Sequence, residues 1–277
     1  MRPMRKTLPV VTAGAILLGI SSYASAVLIG GLDVPNGPIF SVAQVYENVV
    51  TGVGQTLSGY GEVDSINGMA VNTLCSGCEL TYRFTDYVVS SISATDIKFS
   101  GGTFTFYLGF GADNDFNAFT SGSSAADLVA ATNGTVFLNL MGHAIDAAGN
   151  TLAGAGVNIG SATPSGTASG LADVNTSGTG IANAYFDTNT VPALFGSGNA
   201  DILLTSSFNG LFPPHPAECT QGQGPSCVSG NADFRGSVND VSAFPSPVPE
   251  PATIALVAGA LLALCARRRQ FQLRQRV

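Results

Sequence analysis

Alternation of apolar and polar residues marks the middle of this chain. Residues 80–85 alternate strictly, and residues 104–108 repeat the pattern after Gly101-Gly102. A period of two is typical of a strand with one buried face. We therefore predict strands in these two segments, with residues 97–100 joined to the second as a hairpin across a Gly101-Gly102 turn. Further strands are predicted at residues 40–50, 135–145 (with Val136, Leu138 and Leu140 on one face), 200–208 and 232–241.

The remaining segments predict short connections between strands. Residues 124–131 suit one helix, with Ser123 or Ser124 as its cap and Asp127 in its first turn, where a negative charge suits the helix dipole. Residues 149–180 are rich in Gly, Ala, Ser and Thr, and we predict thin strands and turns there, because compact domains rarely contain such long unstructured loops. The fold class that follows is all-β, with an antiparallel β-sandwich or jelly-roll-like body at residues 27–241.

The N-terminal segment predicts a cleaved signal peptide at residues 1–26. A basic start is followed by an apolar stretch of about 13 residues, which is short for a membrane span. Ala24 and Ala26 then supply the small residues that signal peptidase requires. We expect export by the Sec machinery and a mature chain that starts at Val27.

The C-terminal segment predicts a short hydrophobic helix at residues 252–266. Its fifteen residues would extend about 22 Å, less than the roughly 30 Å of a bilayer core. Residues 242–251 form a proline-rich linker before it, and the arginine-rich tail at residues 267–277 is expected to remain cytoplasmic. Such a helix suits transient contact with the inner membrane.

This C-terminal arrangement resembles the PEP-CTERM sorting signal. The resemblance covers only residues 248–270 and is carried by the Pro-Glu-Pro, the apolar stretch and the basic triplet. Its residues are Pro249, Glu250, Pro251, Arg267, Arg268 and Arg269. The family implies an exosortase as partner, export from a Gram-negative, polysaccharide-producing bacterium, and delivery to the cell surface or the exopolysaccharide matrix.

Charge excludes one class of partner. The whole chain has a formal charge of −7, but most basic residues lie in the two end segments. Between them only Arg83, Lys98 and Arg235 oppose seventeen acidic residues, which gives the mature body a charge of about −14. Nucleic acid is therefore not expected as a partner, because phosphate binding needs clustered Lys and Arg.

Four cysteines remain in the predicted mature body, and an even number in an exported chain indicates disulfides. Three connectivities are possible, and we favour the local pairs Cys75–Cys78 and Cys219–Cys227. The alternatives for Cys75 and Cys78 are half of a zinc site or a redox motif, but a strand-like segment follows them rather than a helix.

Candidate chemistry in the body is sparse. Asp113, Asp115 and Asn117 begin like a calcium loop, which Asp127 would complete, although the glycine and glutamate that an EF-hand requires are missing. His143 and His215 occur in different contexts, and no Gly-x-Ser-x-Gly motif is present. We expect no catalytic activity and no cofactor. Calcium is the one ion for which the sequence offers candidate ligands.

The functional expectation is a non-enzymatic protein of the cell surface or exopolysaccharide matrix, with a structural or adhesive role in biofilm or flocculation. The first alternative is a secreted carbohydrate- or calcium-binding module, with exopolysaccharide as a partner. The second alternative is a secreted hydrolase.

Overall fold

The computed structural model describes residues 26–193, 197–220 and 224–241, and this part of the chain is mostly β-strand. The strands are β1 (Ala26–Ile29), β2 (Leu32–Pro35), β3 (Gly37–Glu47), β4 (Thr56–Ile66), β5 (Met69–Ala70), β6 (Cys78–Ile92), β7 (Asp96–Phe110), β8 (Thr135–His143), β9 (Asn150–Val157), β10 (Ser165–Val174), β11 (Val191–Pro192), β12 (Asn199–Ala200), β13 (Ile202–Asn209) and β14 (Val228–Val238). The short helices are α1 (Val71–Leu74), α2 (Ser124–Ala130) and α3 (Asn183–Phe186), with 3-10 turns at Gly111–Asp113 and Pro216–Glu218. The all-β, antiparallel prediction is confirmed.

The main sheet closes on itself. Strands β3, β4, β6 and β7 pair in chain order, and β10, β13 and β14 continue the order until β14 pairs with β3. Strands β8 and β9 together complete the circle, because each pairs with one half of β7 and one half of β10. The glycine-rich segment predicted as thin strands forms β9 and β10. The result is an antiparallel barrel with few exposed sheet edges.

Aromatic rings fill the interior of this barrel. Alternate residues of β6 point inward, as the sequence pattern predicts. Tyr82 and Phe84 are buried there with Phe106 and Phe234, and the partly buried Phe104 packs against them. Ring centroids of Phe84 and Phe104, and of Phe106 and Phe234, lie 5.1 Å apart. Three internal cavities of about 60, 40 and 30 Å³ are smaller than a typical ligand pocket, so the chemistry of this body lies on its outside.

Two details of the strand predictions are wrong. Strand β7 runs unbroken through Gly101 and Gly102, so residues 97–100 form no hairpin with 104–108. Both glycines have positive φ, and a Cβ on Gly102 would lie 2.2 Å from the Tyr87 ring, so they bend the strand without ending it. In β8 a bulge at Phe137 pairs Val136 with the outward Tyr107, which separates Val136 from the face of Leu138 and Leu140.

The predicted end segments lie outside the described residues, apart from Ala26, the first residue of β1. These segments include the signal-peptide residue Ala24, the whole linker at residues 242–251, the sorting helix and the arginine tail. None of the helices in the described part of the chain has the length and hydrophobicity that crossing a bilayer requires.

Candidate functional site

A polar network is buried where the chain packs back on the outside of the barrel. The segment after β7 covers the outer faces of β3 and β4, and Phe116, Ala118 and Ala131 pack there against Tyr46 and Tyr60. Helix α2 belongs to this segment and begins as predicted, with the Ser123 hydroxyl accepting a hydrogen bond from the Ala126 N–H. The cover thus encloses polar side chains between the helix and the barrel wall.

Asp127 is the centre of the network and is fully buried. Its Oδ2 accepts hydrogen bonds from the Tyr60 hydroxyl and from Nε2 of His215, each at 2.8 Å, and its Oδ1 accepts from the Ser121 hydroxyl. A carboxylate only accepts, so all three partners donate to it. Asp127 therefore ties α2 to the barrel and to the segment that contains His215, and both of its carboxylate oxygens have hydrogen-bond partners there.

The segment before β14, which is described at residues 211–220 and 224–227, is fastened to α2 a second time. The Glu218 carboxylate accepts from the Ser124 N–H and hydroxyl, and these bonds lower the pKa of Glu218. Cys219 and Cys227 are paired, as predicted. In the chain-entropy model a loop of this length gains about 2.5 kcal/mol from its disulfide. These contacts make residues 211–220 and 224–227 a clasp over α2.

Cys75 and Cys78 form the other predicted disulfide. The pair follows the end of α1 and precedes β6, so neither cysteine is at the start of a helix that would lower its thiol pKa. The arrangement is structural, since the bridge closes the turn that leads into the central strand β6. It also fixes the start of β6, where Glu79 follows directly.

The calcium candidates lie beside Glu79, which the sequence reading missed. Asp113 and Asp115 are exposed, while Asn117 Oδ1 accepts from the Phe119 N–H and so shapes the loop. The Glu79 side chain is only 3% exposed, and its Oε2 accepts from the Phe116 N–H at 2.9 Å. No group of three or more His, Cys, Asp or Glu side chains within the described ranges is already spaced as a metal site.

The two histidines occupy separate sites, and His143 has the partners of a catalytic triad. Its Nδ1 lies 2.8 Å from Asp173 Oδ2, and its Nε2 lies 3.0 Å from the Ser197 hydroxyl. However, the single hydroxyl hydrogen of Ser197 has a second acceptor, the carbonyl oxygen of Ala144, at 2.9 Å. Asp173 is 36% exposed, whereas the triad aspartate of serine proteases is buried.

A broad trough crosses another part of the outer wall of the barrel. Its outward side chains form two rows over six neighbouring strands, β7, β9, β10, β13, β14 and β3. The first row is Asp96, Ala155, Thr167, Ser207 and Asn231, and the second is Lys98, Ala153, Ser169, Thr205, Asp233 and Val42. In these two rows, the three central strands β9, β10 and β13 contribute only Ala, Ser and Thr. The wall is therefore lower there than at the rims, where the side chains are longer. The trough has a volume of about 860 Å³.

The comparisons with known proteins identify the end of the chain. A family model for the PEP-CTERM protein-sorting motif matches residues 247–269. The chain carries a PEP-CTERM motif. No curated protein and no solved structure matches the chain.

The PEP-CTERM match includes all six residues on which the resemblance rests, from Pro249 to Arg269. It begins at residue 247, and residues 242–246 separate it from Val241, the last described residue of the body. The motif implies export, an exosortase as processing partner, and a membrane-held intermediate that precedes delivery to the surface. It concerns delivery only, so the role of the body has to be argued from the trough, the clasp and the Glu79 region.

Proposed function

We propose that this protein acts without catalysis at the cell surface or in the exopolysaccharide matrix, where its barrel contributes to cohesion of a biofilm or floc. The PEP-CTERM motif supports delivery to that location. The trough is the observation that supports a contact role for the body, because it is a large open concavity on the outer wall of the barrel. Matrix polysaccharide is the partner that this location offers.

The chemistry of the trough suits an extended, hydroxyl-rich polymer. Ser, Thr and Asn side chains donate and accept hydrogen bonds, as sugar hydroxyls do, and Asp233 and Asp96 accept them. Five strand spacings of about 4.8 Å separate the rims, so the trough is roughly 24 Å across. No aromatic ring lines it, so we expect contacts that are numerous and individually weak.

Filling the trough tests this role. Ala155 is exposed at its centre, next to Thr167 on the neighbouring strand. We expect Ala155→Arg to reduce co-sedimentation with purified exopolysaccharide by about tenfold, the effect of losing roughly 1.4 kcal/mol of contact. Ala125→Arg, an exposed change on α2, is the matched control and should bind normally. Equal binding by both variants would contradict the role proposed for the trough.

A secreted hydrolase is the second candidate, and the Ser197–His143–Asp173 contacts favour it. A fluorophosphonate probe separates the two candidates, because it reacts with serines activated by a neighbouring base. The non-catalytic proposal expects no labelling of the purified protein. Labelling that disappears in Ser197→Ala and in His143→Ala would instead support acyl-transfer chemistry at this site.

A further inference from the structure

We propose that Glu79 and the adjoining loop at residues 111–117 bind a hard divalent cation of the calcium type, with Glu79 Oε1 as the buried ligand and Asp113 and Asp115 as the outer ligands. This site is independent of the trough and of the role proposed for it. The inference begins from one atom. Oε1 of Glu79 is buried and has no hydrogen-bond partner, whereas Oε2 of the same carboxylate has the Phe116 N–H.

An unpaired carboxylate oxygen in a buried position is costly, so a cation that binds this oxygen would offset that cost. Burial raises the pKa of Glu79 to about 7, and the negative charges of Asp115 and Asp113 also raise it. Glu62 adds a further negative charge, since Glu79 contributes to the raised pKa of Glu62. A bound divalent cation would remove this repulsion, because the carboxylates that repel one another would then become its ligands.

Backbone geometry brings a further oxygen to this place. Strand β7 has Gly109 opposite Glu79, and a Cβ at Gly109 would lie 2.1 Å from the Asp113 carbonyl oxygen and 3.2 Å from Glu79 Cγ. Glycine thus lets the loop bring a backbone carbonyl close to the buried glutamate. Carbonyl and carboxylate oxygens are the ligands that calcium prefers.

Binding requires the two outer carboxylates to converge. No group of three or more His, Cys, Asp or Glu side chains in the described ranges could hold a metal ion as placed, so the proposal requires the exposed Asp113 and Asp115 side chains to turn toward Glu79. Asp115 Oδ1 accepts one hydrogen bond, from Asn133 Nδ2 at 3.1 Å, an exposed contact that is inexpensive to exchange. The bound cation would fasten residues 111–117 to β6.

Calcium titration of protein purified from cells that express the full chain tests the site. At ten times its dissociation constant, calcium should raise the melting temperature by about 3–6 °C. Glu79→Gln should weaken binding by at least about tenfold, the cost of losing a charged ligand. Asp115→Asn, at an exposed position that leaves folding intact, should also weaken it. Asp33→Asn, on an exposed position of β2, is the matched control.

Calorimetry is a second readout that a purely structural effect would not produce. Titration of calcium into the folded protein should give a saturable heat for the wild type and for Asp33→Asn. The same titration should give a much weaker heat for Glu79→Gln, which lacks the charged buried ligand. A calcium response that is absent, or unchanged in Glu79→Gln and Asp115→Asn, would overturn the proposal.

Discussion

Asp127→Ala should lower the free energy of unfolding by about 3–5 kcal/mol, because it removes the common acceptor of a buried network. The Tyr60 hydroxyl, the His215 ring and the Ser121 hydroxyl would all lose the carboxylate to which they donate. Tyr60 and His215 are themselves buried, so water cannot easily replace the lost acceptor. Urea unfolding followed by circular dichroism measures the change.

Two variants make this result specific. Asp127→Asn keeps an acceptor for Tyr60 and His215 and can donate to the Ser121 hydroxyl, so we expect a smaller loss of about 1–2 kcal/mol. Asp33→Ala alters an exposed carboxylate on β2 and should change stability by less than about 0.5 kcal/mol. If Asp127→Ala were no more destabilising than Asp33→Ala, the network would not be what holds α2 and the clasp to the barrel.

Replacing Pro249, Glu250 and Pro251 together with alanine should abolish nearly all processing and retain the protein in the membrane fraction. The three residues lie within the PEP-CTERM match, and the prolines separate the linker from the hydrophobic stretch that follows. Proline disfavours helix at the preceding residue and removes a backbone donor, so alanine would also permit the predicted helix to extend upstream. Immunoblots of membrane and culture-medium fractions measure the distribution.

Pro245→Ala is the control for this prediction, because it changes the same proline-rich linker outside the matched segment. It should leave processing and release unchanged. Normal release of the triple-alanine variant would show that the Pro-Glu-Pro is not read during delivery.

The alternation of apolar and polar residues was sufficient to predict strands that have one face in the barrel interior. The alternation at residues 80–85 predicts β6 because one face of that strand is packed with aromatic rings in the barrel. Thr81 departs from the pattern, since the cover over the outer face buries it and the Ala131 carbonyl accepts its hydroxyl hydrogen. The bulge at Phe137 and the bend at Gly101-Gly102 were not predictable, because both depend on the partner strand and not on local sequence.

The candidate sites also differ in how far the local sequence predicts them. The sorting residues are contiguous, so the sequence alone reveals them. Asp127 and His215 are 88 positions apart, and Asp173 and Ser197 reach His143 from separate segments, so only the fold brings them together. Glu79 has one signal in the sequence, a carboxylate beside Cys78 at the start of a strand, but its burial depends on the loop that follows β7.

Intact-mass analysis of the protein from cells with and without the exosortase tests the account most directly. We predict a single shorter species in wild-type cells, which lacks residues 1–26 and the segment after the Pro-Glu-Pro and contains two disulfides. Cells without the exosortase should yield a species that retains the C-terminal segment in the membrane. Identical masses from both strains would contradict delivery by the PEP-CTERM route.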